Sequence, residues 1–144
     1  MYYYFEVLKK FAKFSGRARR SEYWYFCIAN IVVIPCIFLF IYIINWFGLF
    51  NDNYEVKSNI AISIILGYLT LIIIPYLALC VRRLHDIGKS GFMILINLIP
   101  YIGIIWFIIL LFREGTYGNN EYGPDPKFIF KDEVDVEISK EKRK

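Results

Sequence analysis

Two short segments hold the side chains best able to do chemistry: Arg17, Arg19, Arg20 and Glu22, and then Arg82, Arg83, His85, Asp86 and Lys89. Arginine's planar fork suits bidentate contact with phosphate or carboxylate. Arg17, Arg19, Arg20, Arg82, Arg83 and Lys89 are therefore the candidate anion or lipid head-group site. Glu22 and Asp86 are the acids within reach as ion-pair partners. The plainer reading is that these charges pair with one another and with lipid phosphate, pinning the helices around them. His85 beside Asp86 invites acid–base or metal chemistry, but it is the only histidine in the chain. A metal site would need carboxylates for its remaining ligands, and adjacent residues on a helix do not face one another. Ser90 lacks a GxSxG frame, and neither a P-loop nor a dinucleotide fingerprint occurs. No catalytic residue, metal ligand or cofactor is expected.

The surroundings of the second segment say where it must lie. It separates two uncharged runs, 60–81 and 91–112, each of about 22 residues. A hydrocarbon core of roughly 30 Å needs about 20 helical residues, so each run is long enough to cross it. Charged side chains are costly in lipid, so the segment between should lie at a membrane surface or face protein. A third run, 23–50, opens with Tyr23, Trp24 and Tyr25 as an interfacial aromatic belt. With 58% hydrophobic residues and a mean hydropathy of +0.45, the 144-residue chain falls outside the usual soluble range. The fold class expected is an all-α, multi-pass transmembrane bundle of three spans with an N-terminal amphipathic interfacial helix.

In chain order, the expectation is a membrane domain over 1–127. It comprises an amphipathic arm at 2–14, spans at about 23–50, 60–81 and 91–112, and a turn-rich segment at 113–127. A charged tail, 128–144, follows and reads as disordered. The arm sets Tyr4, Leu8, Phe11 and Phe14 against Glu6, Lys9, Lys10 and Lys13. It can lie in the head-group plane or pack on the bundle. Ser21 is a candidate cap for a helix beginning at Glu22 or Tyr23. Pro35 should kink the first span, and Asn30 and Asn45 suit interhelical hydrogen bonds. Pro100 and Gly103 interrupt the run 91–112, which reads as one kinked span or, alternatively, a re-entrant hairpin. Cys27, Cys36 and Cys80 all fall in apolar runs without CxxC spacing and read as small buried hydrophobes. The first apolar run is too long for a signal-peptide core, so it should be retained.

Charge gives the orientation. Six basic residues in the N-terminal arm and three at 82–90, against Lys57 alone in the first loop, place the arm and residues 82–90 in the cytoplasm. A third full crossing would export the tail, whereas a hairpin would keep it inside. The net charge of +4 could suggest nucleic acid, but the basic residues sit at the ends of apolar runs, where anionic phospholipid is the nearer partner. No nucleic-acid binding is expected. The runs contain neither acids nor bases, and the chain has no repeats, which argues against a secondary transporter.

Four motifs carry a family resemblance: Phe14-Ser15-Gly16-Arg17-Ala18-Arg19-Arg20-Ser21-Glu22-Tyr23-Trp24; Arg82-Arg83-Leu84-His85-Asp86-Ile87-Gly88-Lys89-Ser90-Gly91; Leu98-Ile99-Pro100-Tyr101-Ile102-Gly103; and Asn120-Glu121-Tyr122-Gly123-Pro124-Asp125-Pro126. In order and spacing the chain, to about Lys127, resembles the domain of unknown function 805 family, the YhaH-like small bacterial inner-membrane proteins. The resemblance implies a multi-pass helical protein of the bacterial plasma membrane and supplies no activity. The first functional expectation is a non-enzymatic binding or scaffold protein whose cytoplasmic arginine-rich face contacts anionic lipid or a partner protein. The alternatives are a small transporter or channel component working as a homo-oligomer or with a membrane partner, and an enzyme acting on a phosphate-bearing lipid.

Overall fold

The computed structural model describes residues 2–48 and 54–128. It contains α1 (Tyr2–Lys9), α2 (Arg20–Trp46), α3 (Tyr54–Asp86), a 3₁₀ helix (Gly91–Leu98) and α4 (Ile102–Phe112). Among the described residues, extended backbone pairs once, in a bridge between Asn120 and Gly123. Beyond Phe128 the expected tail lies outside the described residues.

At about 1.5 Å per residue, the 27 residues of α2 and the 33 of α3 reach roughly 40 and 50 Å. These two helices are long and apolar enough to cross a bilayer. Ile31, Phe40 and Leu71 are 69%, 61% and 67% exposed on their outer faces. An apolar surface so continuous would aggregate in water, and lipid is the solvent that suits it. Both helices continue through a proline, Pro35 and Pro75. Asn30 joins them by accepting from the Tyr68 hydroxyl, and the Tyr23 and Tyr76 hydroxyls lie 3.3 Å apart.

Several expectations need correction. α2 begins at Arg20, two or three residues earlier than expected; Arg19 occupies the N-cap position without a side-chain cap, and Ser21 lies inside the first turn. The start is set from outside the helix, where the Ala18 N–H donates to the Arg82 carbonyl at 3.0 Å. Asn45 donates to the Ile41 carbonyl of its own helix at 3.0 Å. Cys80 is buried and Cys27 half-buried, but Cys36 is exposed on the outer face of α2. The arm is helical only over Tyr2–Lys9, and its apolar side packs on α2 and α3. Tyr4 stacks on Phe26 at 5.3 Å and Val7 is fully buried, whereas Phe11 and Phe14 are exposed.

The run 91–112 does not form one long helix. It folds back on itself as two limbs of about 16 Å each, from eight 3₁₀ residues and eleven α-helical ones. Tyr101 makes the reversal at φ 60°, ψ −60°, with the Ile102 N–H donating to the Pro100 carbonyl at 2.7 Å. That is a γ-turn, a tight and strained conformation for a residue with a side chain. Gly103 lets the limbs close, since a Cβ there would stand 1.9 Å from the Ile96 carbonyl oxygen. Both ends of the hairpin meet the C-terminal end of α3. Gly91 lies against Val81 and His85, Arg83 bonds the Leu111 carbonyl, and Trp24 and Phe112 have ring centroids 4.4 Å apart.

The core is concentrated at that same end. Val7, Ala18, Phe26, Leu79, Leu84, Phe107 and Leu111 pack together, drawn from the arm, the start of α2 and the ends of α3 and α4. Protein packing is thus densest where the arginine segments lie.

Candidate functional site

Helix ends explain why cations gather here. The last carbonyls of a helix have no partner within it, and they form the negative end of its dipole. The C-termini of α3 and α4 converge, together with the N-terminus of α2. α3 stops at Gly88, whose φ of 69° favours glycine, with the Lys89 N–H closing on the Leu84 carbonyl at 2.9 Å. Arg83 reaches from α3 to the end of α4 and donates to the carbonyls of Leu111 and Arg113. Arg20 donates to the Phe112 carbonyl at 3.4 Å and pairs with Glu114. Glu22, in the first turn of α2, suits the positive end of that helix.

Two buried ion-pair systems sit beneath this surface. Asp86 takes Arg17 Nε on Oδ1 at 3.0 Å and Arg83 Nη1 on Oδ2. Glu22 Oε1 accepts from Arg82 Nη1 at 3.0 Å. The side chains of Arg17, Arg82 and Arg83 are at most 2% exposed. Asp86 and Arg83 lie beyond the apolar run 60–81. Burial raises the Asp86 carboxyl and lowers the Arg83 guanidinium from their ordinary values, and the attraction between them opposes both shifts.

The segment after α4 completes the knot. Arg17 also donates to the Thr116 and Gly118 carbonyls, and the Thr116 N–H donates to the Asp86 carbonyl at 2.8 Å. Asn120 Nδ2 donates to the His85 carbonyl at 2.9 Å. Buried Asp125 accepts from the N–H groups of Gly118 and Lys127 at 3.2 and 2.9 Å, holding the turn in shape. Gly115 passes so close to Asp86 that a Cβ would lie 2.2 Å from Oδ2. Sequence reasoning saw only turn-formers in this segment. The signal for Asn120, Tyr122 and Asp125 as parts of the site was the motif Asn120–Pro126, whose polar residues have no apolar run to serve; Thr116 carried no such signal.

The six candidate anion-binding residues divide. Arg17 and Arg83 are committed to protein acceptors, and Arg82 is committed through Nε and Nη1 alone. Arg17, Arg19 and Arg20 line a cavity of about 440 Å³ together with Asp86, Glu114 and Lys127. Lys89 is exposed just past α3 and joins neither ion-pair system.

His85 is held as a packing and hydrogen-bonding residue. Its Nδ1–H donates to the Gly16 carbonyl at 3.2 Å, and its ring stacks on Tyr122 at 4.0 Å and 5°. Burial lowers its pKa, and the bond to Gly16 opposes the shift. A base whose folded pKa lies below its unfolded value binds fewer protons when folded. Its stabilising contribution is therefore full above the unfolded value of about 6.5 and lost as the pH falls below it through the lower folded value. Thermal unfolding in detergent should show a midpoint that drops between about pH 7.5 and pH 5.5, with a flatter dependence in His85→Gln. A midpoint that rises on acidification in the native chain, or an unchanged slope in the variant, contradicts this role.

Two bilayer-length apolar helices, an all-helical framework and a charged knot confined to one end define a transmembrane helical protein. The chain belongs to the family described as "Protein of unknown function (DUF805)", whose model matches residues 11–124, a range holding both arginine segments and the hairpin. It is 40% identical over 139 residues to the inner membrane protein YhaI of Escherichia coli (strain K12), covering 89% of this chain and 98% of that one. It is 38% identical over 129 residues to the inner membrane protein YhaH of the same organism, covering 88% and 98%. No solved structure matches.

Proposed function

We propose that this chain is a non-enzymatic protein of the bacterial inner membrane, crossing it with α2 and α3 and inserting the 91–112 hairpin from the cytoplasmic side. Its cationic cytoplasmic rim contacts anionic phospholipid. The supporting observation is the bonding of Arg83, at the end of α3, to the carbonyls of Leu111 and Arg113. Together with the Arg17–Asp86 pair, it supports a single level for the arm, residues 82–90 and the segment after α4. Limbs of about 16 Å suit a re-entrant element, because a core of roughly 30 Å exceeds either. With all three basic segments on one face, this reading also agrees with the positive-inside rule.

At that level Lys9, Lys10, Lys13, Arg20 and Lys89 surround the buried knot with at least part of their side chains in solvent. Each basic residue close to an anionic leaflet contributes about 1 kcal/mol of attraction. Phe11 and Phe14, exposed beside the lysines, suit insertion at the head-group boundary. Purification in mild detergent tests the reading. Co-purifying lipid should be enriched at least about two-fold in anionic over zwitterionic species relative to the source membrane, and the enrichment should fall as salt is raised. Retained lipid with the bulk composition contradicts it.

A further inference from the structure

A second cavity, distinct from the one around Glu114, opens between the arm and the end of α3. Its volume is about 210 Å³, and its polar walls are Lys10, Lys13, Ser15, Gly16, Arg17 and Arg82. With about 30 Å³ per water in the liquid, it has room for one tetrahedral oxyanion and a few waters. No carboxylate lines it.

Arg82 marks it as more than a surface cleft. The residue is 1% exposed, with Nη1 on Glu22 and Nε on the Ala78 carbonyl at 3.4 Å, while Nη2 is buried without a hydrogen-bond partner. The Arg82 charge is paired with Glu22, but a buried N–H group without an acceptor is costly, and an acceptor supplied by a ligand would relieve that cost. Lys13 is exposed at the rim, and Lys10 shares Glu6 at 3.3 Å, leaving ammonium donors available. Volume and charge both suit a compact anion.

We infer that the pocket formed by Lys10, Lys13, Ser15 and Arg82 is a specific binding site for a phosphate group, carried by a lipid head group or by a soluble phosphate. Arg82 Nη2 donates to one oxygen, the lysines neutralise the charge, and the Ser15 hydroxyl donates to another oxygen. This rests on the proposed function only for setting the pocket at head-group height. The donor arrangement stands without it.

The test uses the full-length protein in neutral detergent. Inorganic phosphate and glycerol 3-phosphate are titrated with ³¹P NMR as the readout. In parallel, phosphatidic acid, phosphatidylglycerol and phosphatidylcholine are added and bound lipid is counted by native mass spectrometry. Saturable one-to-one binding of a phosphate species is expected. Binding of the soluble phosphates assigns a soluble ligand, and binding of acidic lipid alone assigns a head group. Lys10→Gln with Lys13→Gln should weaken binding about ten-fold or more, whereas Lys57→Gln, near the other end of α3, should change it less than about two-fold. These lysines are not buried, so the variants keep the fold. Absence of saturable binding by every species, or a Lys10/Lys13 variant that binds like the native chain, overturns the inference. Bulk enrichment of anionic lipid without a saturable site defeats the pocket alone. Saturable phosphate binding without that enrichment leaves the pocket standing and defeats the lipid-contact reading.

Discussion

Asp86→Ala should destabilise the protein by about 3–5 kcal/mol, because it leaves Arg17 and Arg83 buried without their shared counter-charge. Asp86 is the junction of the knot. One carboxylate joins the arm to α3, and its backbone carbonyl anchors Thr116 of the segment after α4. Asp86→Asn keeps the shape and one acceptor but loses the charge, so it should fall between the native chain and Asp86→Ala. Glu114→Ala supplies the control, since the Arg20–Glu114 pair is exposed and such pairs contribute about 0–1 kcal/mol. Thermal unfolding followed by tryptophan fluorescence reads the difference, because Trp24 packs on Phe112 beside the knot. Equal losses for Asp86→Ala and Glu114→Ala would show that the buried pairs do not hold this end together.

The second large effect is expected at Gly103. Its missing Cβ is where the two limbs of the hairpin touch, and the obstructing atom is the backbone oxygen of Ile96, which no rotamer change can move. Overpacking commonly costs 1–3 kcal/mol, and about 3 kcal/mol is expected for Gly103→Ala because backbone must shift. Gly67→Ala is the matched control: it lies on an exposed face of α3 with nothing within 4 Å of its Cβ position. Protease or hydrogen-exchange protection of residues 91–112 should fall in the first variant and stay unchanged in the second. Unchanged protection in Gly103→Ala would mean that the limbs do not pack as described.

The lipid-crossing framework was legible in the sequence, since uncharged runs flanked by charge carry their own signal in hydropathy. α2 and α3 correspond to the first two runs with ends displaced by a few residues. The third run was harder for a physical reason: hydropathy records solvent preference and not direction. Pro100 and Gly103 read equally well as a kink or a reversal. The choice depends on contacts distant in sequence, such as Arg83 with Leu111 and Trp24 with Phe112. The polar site was legible in kind. Glu22 and Asp86 stood out as the acids among arginines, but spacing alone could not say that Arg82 takes Glu22 while Arg17 and Arg83 share Asp86. Nor could it separate buried Arg17 from half-exposed Arg20 three residues on, because that depends on where residues 113–127 fold. Ser21 misled because a local capping preference was outweighed by the backbone bond from Ala18 to Arg82.

Single cysteines placed at Ser15, Lys57, Lys89 and Tyr117, in a chain with Cys27, Cys36 and Cys80 replaced, test the central claim most directly. In intact cells and inverted vesicles, a membrane-impermeant maleimide should label positions 15, 89 and 117 from the cytoplasmic side and position 57 from the opposite side. Labelling of position 117 from the same side as position 57 would contradict the account, because the segment after α4 could not then reach Asp86.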